Sequence, residues 1–163
     1  PFLDLFLTSP RCSMEDLAET LREAFRWLQR GCEVGMYPYV IPFSGAALAK
    51  DPQLIAHTTY AHRRVAGTAV AWDQPAKILP IDPAVRDTIL RIERDFEGML
   101  NALQERVAHL PSRVRSLIWI LCAVPTMARH GLSIGDEGEV RAALQQRLPR
   151  AREAAATPAA VYA

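Results

Sequence analysis

The sequence has no paired cysteines, no excess of one charge and no long apolar run, and each absence removes a class of protein. Cys12, Cys32 and Cys122 are odd in number and far apart, so neither a disulfide framework nor a local CxxC zinc site is available. Reduced thiols in a cytoplasmic protein are the simpler reading. Nineteen basic residues face eighteen acidic ones, a net charge of +1, with neither sign gathered into a block. Nothing in that balance calls for nucleic acid or an anionic membrane surface as partner. The longest apolar run, LIWILCAVPTMA from Leu117, contains Pro125 and falls well short of the about 20 residues of a membrane span. It reads as a buried helix, and no membrane partner is expected.

What is present is a globular composition, 50% hydrophobic and 23% charged over 163 residues, enough for one respectable core. The chain opens with PFLDLFL, straight into a strand with no leader ahead of it. Two α/β units cannot close a parallel sheet by themselves, because their strands leave unpaired edges. The expectation is therefore a piece of a longer protein.

Residues 2–8 read as a largely buried strand ended by Pro10. Ser13 with Asp16 three residues on is a capping-box pair that opens a helix. Leu17, Leu21, Ala24, Phe25 and Leu28 give that helix one apolar face, and Gly31 stops it. Val34 to Ile41 is a second strand ended by Pro42. Strand, helix, strand with short loops is the unit of a parallel sheet. Residues 51–82 read as an irregular connector or small hairpin.

Asp82 and Pro83 suit the start of a long helix. Its seam, Val85, Ile89, Ile92, Phe96, Met99, Leu103 and Val107, carries it to about residue 108. Pro111 and Ser112 begin another helix reaching Arg129, and a polar helix follows from Gly138 to about Leu148. Residues 149–163, alanine-rich, are too featureless to order themselves. The expected organisation is thus a barrel-like portion over 1–50, a connector over 51–82, a helical extension over 83–148 and a tail.

The candidate chemistry is sparse. His57 and His62 lie five apart, not at the spacing of a helical zinc pair, while His109 and His130 fall at helix ends. No metal site made from this chain alone is expected. Cys12 follows a strand end but has no identifiable base, so an ordinary loop cysteine outweighs a nucleophile. Glu15, Asp16, Glu19 and Glu23 read as the solvated face of the first helix. The loops after the two strands remain, Thr8, Ser9 and Pro10 after the first and Pro42 to Gly45 after the second. Ligands of parallel α/β proteins sit at the carboxyl ends of strands.

Two phrases carry a family resemblance: TSPRCSMEDL, residues 8–17, and IPFSGAAL, residues 41–48. They resemble the second half of a radical S-adenosylmethionine domain, where a strand runs into a loop like GLPGET, a helix opens with EEDL, and the next strand ends in a phrase like PFPGTPLY. Members with an added cobalamin-binding domain often have DPETTLEDL at the first position, nearer still. The match covers roughly the first 50 residues. Arg11 and Cys12 depart from the commoner Gly-Glu, Ser44 from a proline, and Ala46 from a threonine.

The resemblance implies an α/β, mainly helical fold: a partial parallel (β/α) barrel, here two βα units, followed by an α-helical region. It also implies S-adenosylmethionine and a four-iron four-sulfur cluster as cofactors of the parent protein, with cobalamin in the subgroup just named. Such enzymes cleave the cofactor reductively and abstract a hydrogen atom from substrate. By position in the motifs, Thr8 stands for the strand-end glycine near the cofactor, Ser9 and Pro10 for its loop, and Pro42 and Gly45 for the second motif. The C-x-x-x-C-x-x-C motif that holds the cluster is absent. It would lie in a missing N-terminal barrel half, and the isolated chain is expected to be inactive. The rival reading is a non-enzymatic helical interaction module presenting the seam of residues 83–130 to a partner.

Overall fold

A computed structural model describes residues 1–42, 46–102 and 110–156 of the chain. The architecture is α/β. Strand β1 (Phe2–Phe6) leads to α1 (Met14–Gln29) and β2 (Glu33–Tyr37). Two single-turn helices, α2 (Ala47–Lys50) and α3 (Pro52–Ile55), precede β3 (Thr58–Arg64) and β4 (Ala71–Ile78). Helices α4 (Pro83–Ala102), α5 (Ser112–Ala128) and α6 (Glu137–Ala156) complete the described residues.

The first helix forms for the reasons its sequence gives. Ser13 and Asp16 make a reciprocal capping box, the Asp16 amide donating to Ser13 Oγ at 3.2 Å and the Ser13 amide to Asp16 Oδ2 at 2.8 Å. Such a cap contributes about 1 kcal/mol. Gly31, at φ +92°, takes the left-handed conformation that ends the helix without a Cβ penalty. Leu17, Leu21, Ala24, Phe25 and Leu28 are buried. The opposite face is solvated as its charges predict, with Arg22 bridging Glu15 and Glu19, and Arg26 held by Glu23.

Strands β1 and β2 pair in parallel, Phe2 opposite Glu33 through Phe6 opposite Tyr37. Both are shorter than their apolar runs predict, because the chain leaves the ladder before Pro10 and at Pro38. Their inner face, with Val34, Leu5 and Met36, joins a core built around α5, which packs on β2, α1, α4 and α6. From Leu117 to Ala123 every residue of α5 is buried, as expected for a helix enclosed on most sides. A fully buried side chain such as Ile118 or Ile120 contributes about 1.5–3 kcal/mol.

The seam of α4 is consumed inside this core. Val85, Ile89, Ile92 and Phe96 are buried, and the Phe96 ring stacks on Trp119 with centroids 4.5 Å apart. The described part of that seam is therefore not presented to a partner, as the helical-module reading requires; Leu103, Val107 and His109 lie outside the described residues. The connector is a hairpin, β3 and β4 antiparallel with an irregularity between Thr59 and Tyr60. It takes in the HTTYAHRR stretch as well as the expected AVAWDQPAKI. Helix α6 runs beyond Leu148 to Ala156. Among the described residues there are two two-stranded sheets and no closed barrel.

Candidate functional site at the ends of the parallel strands

Because β1 and β2 are parallel neighbours, the loops that follow them leave the sheet at the same end. Leu7 N–H donates to the Tyr37 carbonyl at 2.8 Å, extending the ladder one step past β1. Thr8, only 2% exposed, then donates its hydroxyl to the Pro38 carbonyl at 2.6 Å. The second strand has left the ladder there, so the side chain takes the place of a backbone donor. Thr8 thus ties the two loops together, and its hydroxyl proton is not free for a ligand.

The rest of the first loop is a turn closed by Cys12 N–H on the Ser9 carbonyl at 3.2 Å. Ser9 is exposed and Pro10 buried, and the Pro10 carbonyl accepts from Ile81 N–H at 2.9 Å. Arg11 has a structural part in this loop. Its guanidinium meets Asp51 Oδ2 and Gln53 Oε1, both at 3.1 Å, and Asp51 is also the N-cap of α3. Cys12 is buried, and desolvation pushes its thiol pKa up, which disfavours the nucleophilic thiolate.

The second loop is clamped more firmly than its sequence indicates. Tyr39, buried, donates its hydroxyl to Glu93 Oε2 at 2.7 Å, and Lys77 reaches the same oxygen at 3.4 Å. The Lys77 ammonium also lies 4.2 Å from the centre of the Tyr39 ring. Burial, with the Glu93 carboxylate second, pushes the Tyr39 phenol well above its ordinary pKa. One residue on, Val40 bridges to Ile78, whose N–H donates to its carbonyl at 3.0 Å. Pro42 is buried at the end of this clamped segment; Gly45 lies outside the described residues. Tyr39, Lys77 and Glu93 went unnoticed in the sequence. The signal that could have found them is an aromatic residue between two prolines at a strand end, needing a partner for its hydroxyl.

The sheet itself is covered on one face only. By the ladder's register, Phe2, Asp4 and Phe6 share a face with Glu33, Gly35 and Tyr37, and all but Gly35 are exposed. Its two edges differ as well. Glu33 N–H bonds the Pro1 carbonyl, so by alternation Val34 and Met36 point their backbone groups away from β1. The Val34 carbonyl on that edge is met by the hydroxyls of Ser116 and Ser112 from α5. On the far edge of β1, alternation turns the backbone groups of Phe2, Asp4 and Phe6 outward, with no described strand beside them.

The thiols do not form a cluster site. Cys12 follows the end of β1 and Cys32 precedes the start of β2. In a parallel pair these are opposite ends of the strands, and a five-residue strand is about 17 Å long. Cys122, within α5, meets Met99 Sδ at 3.4 Å. The histidines are equally dispersed: His130 pairs with Thr88 and His62 with Asp73, each at 3.0 Å. Among the described residues no three His, Cys, Asp or Glu side chains gather as a metal site would require, and no helix is long and apolar enough to cross a membrane. Comparison with protein-family models, curated proteins and solved structures found no match.

Proposed function

We propose that this chain supplies the last two strand and helix units of a radical S-adenosylmethionine type (β/α) barrel and a helical extension that buttresses them. The observation that carries the reading is the one-sided covering of a parallel sheet. Parallel strands are normally buried on both faces, and in a β/α barrel one face meets helices while the other lines the interior. Here α1 and α5 take one face, and Phe2, Asp4, Phe6 and Tyr37 are left bare on the other. The serine-covered edge of β2 suits a terminal strand, and the open edge of β1 suits pairing with a strand of the missing half.

In this reading Ser9, Pro10 and Pro42 belong to the rim that faces S-adenosylmethionine, and Thr8 positions that rim by joining its two loops. The cluster ligands belong to the other half, since the thiols of this chain do not fit them. Positioning and shielding the cofactor is the part these residues would play. The reading is tested on the reading frame ahead of the codon for Pro1. The expected result is an in-frame C-x-x-x-C-x-x-C and, in the protein so encoded, release of 5′-deoxyadenosine from S-adenosylmethionine under anaerobic reduction. A start codon immediately before Pro1, or a long protein with neither cluster nor release, would overturn it.

A further inference from the structure

The bare face of the sheet carries a second message, in its charge. Strands β1 (FLDLF) and β2 (EVGMY) together contain two carboxylates, Asp4 and Glu33, and no basic residue, and the register puts both carboxylates on the uncovered face. Asp4 stands between Phe2 and Phe6 along its strand and opposite Gly35 across the ladder. Gly35 leaves the room this requires: a Cβ there would lie 2.3 Å from Asp4 Oδ1, and 3.4 Å from both Phe2 Cζ and Tyr37 Cε2. Acid and ring edges therefore converge over one backbone position. The wall continues through Phe6, whose ring is 5.7 Å from that of Tyr37.

Away from this face, the acids discussed above have partners. Glu15, Glu19 and Glu23 are met by arginines, Asp51 by Arg11 and Asp73 by His62. No described residue pairs with Asp4. The three rings around it remain 58%, 54% and 44% exposed at Phe2, Phe6 and Tyr37. A carboxylate among aromatic rings, on two strands that carry no basic residue of their own, is complementary to one kind of group. A cation that carries its own alkyl surface gains the charge attraction, the ring quadrupoles and apolar contact with the rings, whereas a neutral alkyl group gains only the contact and a metal ion must give up tightly held water to reach the rings.

We propose that the uncovered face of β1 and β2 is a binding site for an organic ammonium group, seated against Asp4 and walled by Phe2, Phe6 and Tyr37. This goes beyond the barrel reading and does not depend on it, because face, charge and rings belong to this chain alone. If the face does line a barrel, the same chemistry names a substrate class, an amine or quaternary ammonium compound.

The test is a solution NMR titration of this chain with choline and, in parallel, with 3,3-dimethylbutan-1-ol, its uncharged isostere. Choline is expected to shift the resonances of Phe2, Asp4, Phe6, Gly35 and Tyr37 with millimolar saturation, and the isostere to bind at least about threefold to tenfold more weakly. Asp4→Asn should remove that preference while leaving the amide spectrum of the α5 core unchanged, and Phe6→Leu should weaken choline without abolishing it. Equal binding of the two probes, an unaltered response in Asp4→Asn, or no response at this face would overturn the proposal. None of these outcomes bears on the upstream cluster motif, so the two readings fail separately.

Discussion

Thr8 and Pro38 join the ends of two parallel strands through one short hydrogen bond, hydroxyl to carbonyl at 2.6 Å, at a site only 2% exposed on the threonine side. Removing the donor while keeping the shape isolates its contribution. Thr8→Val should destabilise the chain by about 1–3 kcal/mol, because the Pro38 carbonyl then loses its donor in a part-buried position. Thr8→Ser keeps the donor and should cost less. Urea titration of the two variants side by side checks this, and equal midpoints would mean that the bond contributes nothing.

Phe96 offers a measure of the helical half. Its ring is buried and stacked on Trp119, so Phe96→Ala removes both area and an aromatic contact. The expected loss is about 3–5 kcal/mol. A loss below about 1 kcal/mol in the same titration would mean that α4 is not held to α5 in solution.

The capping box at Ser13, the apolar face of α1 and the seam of α4 were legible in the sequence, because each depends on residues within a few turns of one another. The parallel pairing of β1 with β2 was legible through the crossover rule. What was not legible depends on distant partners. Tyr39 finds Glu93 and Lys77, Arg11 finds Asp51, and Val34 finds Ser116, and no local spacing announces any of these. The hairpin was only half visible. HTTYAHRR lacks the apolar alternation of a buried strand, since both its faces meet solvent over most of their length. Thr8 was singled out for its place in a motif, and the structure adds that its hydroxyl is already engaged.

Alkaline stability should fall in a defined window. Desolvation, with Asp95 second, pushes the Cys122 thiol from 9.0 to about 11, so in the unfolded chain it ionises first. Between about pH 9 and 11 the native state holds more protons than the unfolded one, and the free energy of unfolding decreases as pH rises. The stabilising term is fully present below pH 9 and lost as pH passes the folded value. Tyr39, raised for the same leading reason, adds a loss that begins near its ordinary pKa of about 10. Denaturant midpoints from pH 8 to 11 should decline less steeply in Cys122→Ala and in Tyr39→Phe than in the parent chain. Superimposable pH profiles would show that neither group is desolvated as described.

The last expectation follows from the separation of the thiols. A four-iron cluster needs its cysteine ligands gathered around one small core, whereas Cys12 follows the end of one parallel strand, Cys32 precedes the start of the other, and Cys122 of α5 is packed against Met99. Bringing them together would require withdrawing α5 from the core, where Leu117, Ile118 and Ile120 are buried beside it. Each such side chain contributes about 1.5–3 kcal/mol to keeping it there. Anaerobic reconstitution of this chain with iron and sulfide should therefore give no defined cluster spectrum and only substoichiometric iron after desalting. In the triple variant Cys12→Ser, Cys32→Ser, Cys122→Ala the residual iron should be unchanged. A defined cluster at one per chain that is lost in the variant would show that the three thiols converge, and the assignment of the ligands to a missing half would then be wrong.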